Sequence, residues 1–373
     1  MRLSRPDGIY VAETEEEREA VYRFRYEVYV EEMGRYQQTV DHDNRRFWEP
    51  CDDHSRIGYA LENGEVVATG RFTWGGHGPL PERQIRQYGL EPFLAELPLE
   101  AIGVGERGMV TPRLRGTNLL LRMMRRSLAF VNENRIQLTF GNCEPHLLNL
   151  YLRLGHRTYS KRNVNSPEAG YLIPIMFVPE DVAYLRSMNS PLASYVKDFG
   201  EDARIPACVQ RIMNDGSAVL SSQLTSSEAY WGRVYGALSE LESHRISAFD
   251  GLDEDGTSRC LAKSSIIECG AGDRVLKKGG VARNIFVLLD GTLEVRDGDR
   301  LVRVLSKGDV FGEMAFLLEQ PRSMDVYAAT DGVRVLSLSE SELHQMIEGE
   351  PEIAAHLLLN ISKMLCMRLL RTT

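Results

Sequence analysis

From Ile266 to Ser337 the chain passes through seven short apolar runs, at 266–269, 274–276, 285–289, 292–296, 301–305, 326–329 and 333–337, parted by turns that mostly carry glycine. A run of three to five residues cannot bury a face alone. Runs this short and closely spaced must close on one another as a roll or barrel. Helical periodicity returns from Ser341 to the end. Upstream the pattern is different, so the chain divides, with the boundary between about Pro179 and Phe249. At 373 residues it exceeds what one hydrophobic core usually covers.

Inside the roll, the stretch from Phe311 to Ser323 (FGEMAFLLEQPRS) concentrates complementary chemistry. A glycine in a short turn exposes backbone N–H groups to which a phosphate can approach closely. Arg322 offers paired donors to phosphate oxygens, a geometry that lysine lacks. Glu313 is an acceptor suited to a ribose hydroxyl. The cassette resembles the phosphate-binding cassette of cyclic-nucleotide-binding domains, the family of kinase regulatory subunits and catabolite-activator-type proteins. The resemblance runs over about 249–370, and takes in the Gly291 turn and the run from Lys307 to Glu313. It implies a site made by Phe311, Gly312, Glu313, Met314, Ala315, Arg322 and Ser323, with cyclic AMP as the expected effector. Met324 and Asp325 depart from the family, which usually has a small residue after Arg-Ser; an inward-facing acid there would oppose a phosphate. The sequence stops at Arg371-Thr-Thr, so the roll is expected to report to a domain on its N-terminal side and not to a DNA-binding segment.

That N-terminal part reads as mixed α/β. Thr14 and Glu17 form a capping-box signal for a helix through Glu31. Strands are expected at 57–61 and 66–74, joined at Asn63-Gly64. Next come a strand at 106–110, a helix from about Thr117 to Glu133, a strand at 136–141, a helix over 145–154 and a strand at 170–177. A second capping box, Thr225 and Glu228, predicts a helix to about His244. The expected division is 1–180, a partly helical connector at 181–245, and 246–373.

Two motifs in this part resemble the GCN5-related N-acyltransferase superfamily. Val110-Thr-Pro-Arg113-Leu-Arg115-Gly116-Thr117-Asn118 stands at a strand–helix junction, where free N–H groups suit an anion, and is similar to the family's pyrophosphate loop. Asn149-Leu-Tyr151-Leu-Arg-Leu-Gly155-His156 is similar to its Asn-x-x-Tyr helix, which implies that Tyr151 protonates the departing thiolate. Three further stretches follow in order: Phe24-Arg25 to Glu32, Trp48-Glu49-Pro-Cys-Asp52-Asp53, and Val66 to Phe72 with Arg71. They resemble the acyl-homoserine-lactone synthase and long-chain N-acyl amino acid synthase branch. The resemblance implies that Arg25, Asp52, Asp53, Arg71 and Arg107 build and support the acceptor site. Glu106 is the candidate base, directly or through water. Asn118, where the family has a small residue, favours a donor held by its phosphopantetheine arm. The donor is thus acyl carrier protein or acyl-coenzyme A, and Arg122, Arg125 and Arg126 form a basic face for an acidic carrier.

The fold class expected is therefore an α/β (α+β) N-acyltransferase with a mixed sheet, followed by a β-roll with flanking helices. The reaction expected is transfer of a long-chain acyl group to an amine such as an amino acid, under cyclic-nucleotide control. The competing readings are a cyclic-AMP-regulated protein-lysine acetyltransferase using acetyl-coenzyme A, and a non-catalytic sensor. A net charge of -9 argues against nucleic acid as a partner. Six scattered cysteines suggest thiols in a reducing compartment. The acidic N-terminus is not a signal peptide, and no run is long enough to span a bilayer, so a cytoplasmic protein is expected. No metal is expected: His42 and His54 lack ligand spacing. The partners expected are the acyl acceptor and, for a carrier-bound donor, acyl carrier protein. The oligomeric state is open, a dimer included.

Overall fold

The computed structural model describes residues 2–160, 163–166, 168, 170–215, 219–221, 248–262 and 264–372. The expected helix from Thr225 to His244 lies outside the described residues. The chain forms two compact units. One is Met1–Asn142 with Leu150–Tyr159 and Pro174–Asp215; the other is Cys143–Asn149 with Ser160–Ile173 and Gly216–Thr373. The roll thus shares its unit with two short segments from upstream.

The N-terminal sheet starts with β1 (Gly8–Val11). Helix α1 (Glu15–Tyr26) follows, opened by the Thr14–Glu17 capping box. The helical run was expected to continue unchanged to Glu31; instead it widens into a π-helix over Glu27–Glu32, with the Met33 N–H reaching back to the Val28 carbonyl. Strands β2 (Ser55–Glu62) and β3 (Glu65–Trp74) form the expected hairpin, with Asn63 and Gly64 both at positive φ. Helices α2 (Glu82–Tyr88) and α3 (Glu91–Leu94), absent from the sequence reading, come next. Then follow β4 (Ile102–Val110), α4 (Leu119–Glu133), β5 (Leu138–Cys143), α5 (Leu148–Arg153), β6 (Arg157–Thr158), β7 (Val164–Ser166) and β8 (Gly170–Phe177). The sheet order is β1-β2-β3-β4-β5-β8-β6, with β7 on β8, and β4–β5 is parallel amid antiparallel pairs. This is a mixed sheet. Leu119 and Met123 of α4 pack on Ala60, Val67 and Ala68, which fixes the strand–loop–helix junction. Two helices, α6 (Val182–Ser187) and α7 (Ala207–Asp215), complete this part.

In the roll, β9 (Val219–Ser221), α8 (Glu254–Ala262), β10 (Ser265–Cys269), β11 (Arg274–Leu276), β12 (Asn284–Asp290), β13 (Leu293–Asp297), β14 (Arg300–Leu305) and β15 (Val310–Phe311) come in turn. The short helix α9 (Glu313–Leu318), β16 (Asp325–Ala328) and β17 (Val333–Ser339) follow. They make two sheets, β15-β12-β17-β10-β9 and β11-β16-β13-β14. The core joins Ile266, Ile285, Val287, Leu336 and Leu338 to Leu261, Leu343 and Leu357 from the helices. The terminal helical run is two helices, α10 (Glu340–Gly349) and α11 (Pro351–Thr372). Pro351 has no N–H to continue the first and suits the first turn of the second. Among the described residues, no helix is long and apolar enough to cross a membrane.

Candidate functional site

The N-terminal unit gathers a buried network of arginines and carboxylates. Its organiser is the tight turn Pro50–His54, in which Asp52 Oδ2 accepts the Glu49 backbone N–H at 2.8 Å. Three residues apart on one turn, Glu49 and Asp52 face the same side. Asp52 Oδ1 accepts from Arg25 at 2.7 Å and Arg71 at 3.3 Å, and all three side chains are buried. Arg71 comes from the inward row Val67, Thr69, Arg71, Thr73 of β3. It also donates to Glu49 at 2.9 Å and to Glu106 at 2.6 Å. Asp53, by contrast, is exposed and accepts from the Trp48 indole at 3.1 Å. Of the two expected aspartates, only Asp52 joins the network.

Consecutive strand residues normally point to opposite faces, yet Glu106 and Arg107 both enter this network. A β-bulge is the reason. Arg71 pairs with Glu106 and Thr69 with Met109, so two residues of β4 oppose Gly70 alone, and Arg107 has φ +56°. Such a conformation costs a non-glycine residue about 1 kcal/mol or more. Arg107 then forks onto Glu49 at 2.6 and 2.7 Å, inside a box of Tyr29, Tyr36 and Phe47 rings. Burial raises the Glu49 carboxyl pKa, but Arg107, then Arg71 and Arg83, outweigh it and bring it to about 2. Glu106 behaves alike: burial pushes it up, and Arg71, Arg107 and Arg83 hold it below its usual range. Its oxygens accept from Arg71, Gln84 (2.7 Å), Tyr88 (3.0 Å) and Arg83 (3.3 Å). Four donors keep this carboxylate ionised and weaken it as a direct proton acceptor.

Sequence reasoning missed Glu49, Arg83, Gln84 and Tyr88. Glu49 stood inside a motif already singled out, so its i, i+3 spacing to Asp52 was a usable signal. The other three lie on α2, a seven-residue helix too short to show periodicity.

The β4–β5 ladder runs from Ile102↔Leu138 to Val104↔Phe140 and stops there. At the parting point a Cβ on Gly141 would stand 3.3 Å from the Gly105 carbonyl oxygen. Beyond it, the Asn142 side-chain amide is buried with no hydrogen-bond partner. Past β4, Arg115 pairs with Glu32 and donates to the Val110 carbonyl at 3.0 Å; Arg113 pairs with Glu62. Gly116 has φ +80°, Thr117 Oγ1 donates to the Leu114 carbonyl at 2.7 Å, and Asn118 stands at the N-cap of α4 without capping it by its side chain. Arg122 and Arg126 are exposed, while Arg125 stacks on Tyr195 at 4.0 Å. Tyr151 meets the His156 ring edge-on at 5.0 Å, and burial lowers the His156 pKa to about 4. His42 accepts from the Tyr26 hydroxyl and donates to the Gln37 carbonyl, each at 2.7 Å.

In the roll, Gly312 has φ +79° and begins α9; a Cβ there would stand 2.6 Å from Arg322 Nη1, so only glycine fits. Arg322 is buried, donating through Nη1 to the Gly312 carbonyl at 2.5 Å and through Nη2 to the Asn284 carbonyl at 2.8 Å; its Nε has no partner. Burial lowers its pKa to about 10, against the raising influence of Glu313, so it remains a cation at neutral pH. Glu313 and Ala315 are buried beside it, and Phe286 stacks on Phe311 at 5.1 Å. Met314 and Ser323 are exposed. Residues 266–350, which hold this whole cassette, match the family described as cyclic nucleotide-binding domain.

This part of the chain is a cyclic nucleotide-binding domain. Asp325, the departure noted above, opens β16 and accepts the Lys278 backbone N–H at 3.0 Å, with Arg274 at 3.8 Å. Its charge is thereby matched. Among similar curated proteins, a cAMP-dependent protein kinase regulatory subunit of Mycosarcoma maydis is 37% identical over 103 residues, 26% of this chain and 20% of that protein. The cGMP-dependent protein kinase egl-4 of Caenorhabditis elegans is 30% identical over 109 residues, 28% of this chain and 14% of that protein. The chain therefore spans no more than a fifth of the length of either. Among solved structures, a CoA-dependent acyl-homoserine lactone synthase, BjaI, is similar over 56% of this chain and 99% of its own, at 18% identity and a TM-score of 0.38.

Proposed function

We propose that the chain is a cyclic-nucleotide-regulated N-acyltransferase, moving a long-chain acyl group from a carrier thioester to the amine of a small acceptor such as an amino acid. The observation that carries this reading is the parting of β4 from β5 directly beside the bulge at Arg107. An acyl-pantetheine arm laid between the parted strands meets unpaired backbone groups there, as an added strand would. The Asn142 amide is a further polar group for it. Arg25, Arg71, Arg83 and Arg107 face Glu49, Asp52 and Glu106, which leaves one positive charge in excess. An acceptor carrying a carboxylate next to its amine matches that balance.

In the reaction the neutral amine attacks the thioester carbonyl. The C–N bond forms and the C–S bond breaks. The amine proton leaves through a water held by Glu106, and Tyr151 gives its proton to the thiolate. The exposed Arg122 and Arg126 serve an acidic acyl carrier protein; with acyl-coenzyme A as donor, Arg113, Arg115 and the α4 N-terminus face its phosphates. Cyclic AMP is the effector proposed, held by Arg322 and Glu313, since a regulatory subunit named for it shares the greatest identity of the two kinase relatives above.

Mass spectrometry of lipid extracts from cells overexpressing the chain, with and without added cyclic AMP, tests the proposal. New N-acyl amino acids are expected. They should fall about 100-fold or more in Tyr151→Phe. Acetylated protein lysines in place of new lipids would overturn the proposal in favour of a lysine acetyltransferase.

A further inference from the structure

The second compact unit contains Cys143–Asn149 and Ser160–Ile173 as well as the roll. The chain leaves the first of these segments at Asn149, and Tyr151 is two residues on. The second holds β7 and the start of β8. Both segments are gripped by roll residues that connect to Arg322 through further hydrogen bonds or along the backbone.

The grip on Asn149 uses both ends of its amide. Ser265 Oγ donates to Asn149 Oδ1 at 3.0 Å, and Asn149 Nδ2 donates to Glu342 Oε1. The other Glu342 oxygen accepts from Ser339 N–H at 2.8 Å and Oγ at 2.7 Å, the capping box that opens α10. Ser339 stands opposite Asn284 in the β12–β17 ladder, and the Asn284 carbonyl holds Arg322 Nη2. The guanidinium and the amide are thus joined by one ladder rung and one helix cap.

The grip on the β7–β8 hairpin reaches Arg322 from its other side. The Gly279 N–H donates to the Arg322 carbonyl at 2.7 Å, and the Arg322 N–H donates to the Gly280 carbonyl at 2.8 Å. From the same turn, Lys277 Nζ donates to the Glu168 carbonyl at 2.8 Å, and from β11 just before it Arg274 Nη2 donates to the Ser166 carbonyl at 2.9 Å. Farther along, the Glu268 carbonyl accepts from Asn163 Nδ2 at 2.9 Å and from the Tyr171 hydroxyl at 3.2 Å.

We infer that Asn149 is a positioning residue through which the cyclic nucleotide controls Tyr151, with the β7–β8 hairpin as the second arm of the same control. A cyclic phosphate competes with the Gly312 and Asn284 carbonyls for the Arg322 guanidinium. Binding therefore shifts the β12 end on one side and the 277–280 turn on the other. The turn bonds the β7–β8 hairpin through Lys277, and the β12 end reaches Asn149 through Ser339 and Glu342; these segments continue into the N-terminal sheet and the Tyr151 helix. A ligand shifts an equilibrium only by its differential affinity for the two arrangements, and the exchange of Arg322 partners supplies that difference. The inference rests on the acyltransferase reading for the role of Tyr151, and on the contacts alone for the coupling.

The test uses the full chain with cyclic AMP as probe. Hydrogen exchange in 143–151 and 163–173, and acyl transfer to an amino acid, are measured with and without nucleotide. Wild type, Ser265→Ala, Lys277→Gln and the hydroxyl-keeping Ser265→Thr are compared. In wild type, cyclic AMP should change acyl transfer and exchange in both segments by about fivefold or more, the lower end of typical coupling. Ser265→Ala should lose the response in 143–151 and Lys277→Gln that in 163–173, with cyclic AMP affinity within about threefold of wild type and basal transfer kept. Ser265→Thr should restore the response. Full nucleotide response in both uncoupling variants, or wild-type segments that ignore bound cyclic AMP, overturns the inference. Absence of amide product with the exchange response intact sinks the acyltransferase reading and leaves the coupling standing.

Discussion

Asp52 shows how much one carboxylate can hold. Its two oxygens take a backbone N–H and two guanidiniums, at zero exposure. Removing one partner of a buried ion pair strands the other, at a cost of about 3–5 kcal/mol. Asp52→Ala should therefore lose that much folding stability by urea denaturation, whereas Asp53→Ala should change it by less than about 0.5 kcal/mol. His156 gives a pH signature. Its imidazole stays neutral in the fold down to about 4. Below its ordinary value of 6.5 the unfolded chain takes up a proton that the folded chain refuses. Stability is thus unaffected above 6.5 and lost as pH falls from 6.5 to about 4, by roughly 3 kcal/mol in all. His156→Phe should flatten that limb when denaturant midpoints are compared at pH 7 and pH 5.

Single elements were legible to different degrees. The hairpin at Asn63-Gly64 and the capping box at Thr14 appeared where the sequence placed them, because both are set by residues within four positions. The bulge in β4 was not legible. It depends on the register against β3, and register is a matter between strands. The π-turn at Glu27–Glu32 is similar: nothing local in the sequence widens that helix, and Tyr29 on it stacks on Arg107 from β4. Helix α2 shows the cost of brevity, since seven residues supply three of the groups that hold or face Glu106.

For the whole molecule, a ligand that binds only the folded state adds stability by mass action, about 2.7 kcal/mol at 100 times its Kd. Cyclic AMP should accordingly raise the unfolding temperature of the roll in differential scanning calorimetry of the full chain. In Arg322→Ala that rise should vanish if the buried cation is, as proposed, the phosphate partner. A variant that binds equally well would overturn the assigned role of Arg322. The grouping of 143–149 and 160–173 with the roll bears on regulation at this scale. The helix expected from Thr225 to His244 lies outside the described residues, and the contacts of Asn149 and the β7–β8 hairpin offer a route for control within them.

The sequence by itself determined the roll and its cassette. Short runs between turns leave no other way to bury their apolar faces, and the groups expected to hold phosphate and sugar stand within thirteen consecutive residues. It also named Arg25, Asp52, Arg71, Glu106 and Arg107 one by one. Only the tertiary structure decided that these five share one network, that Asp53 does not, and that Glu49 stands at its centre. Their partners come from elements tens of residues apart, and an ion pair leaves no local trace in composition or period. For the same reason the hold of Ser265 and Glu342 on Asn149 became visible only once strands, caps and turns had been placed against one another.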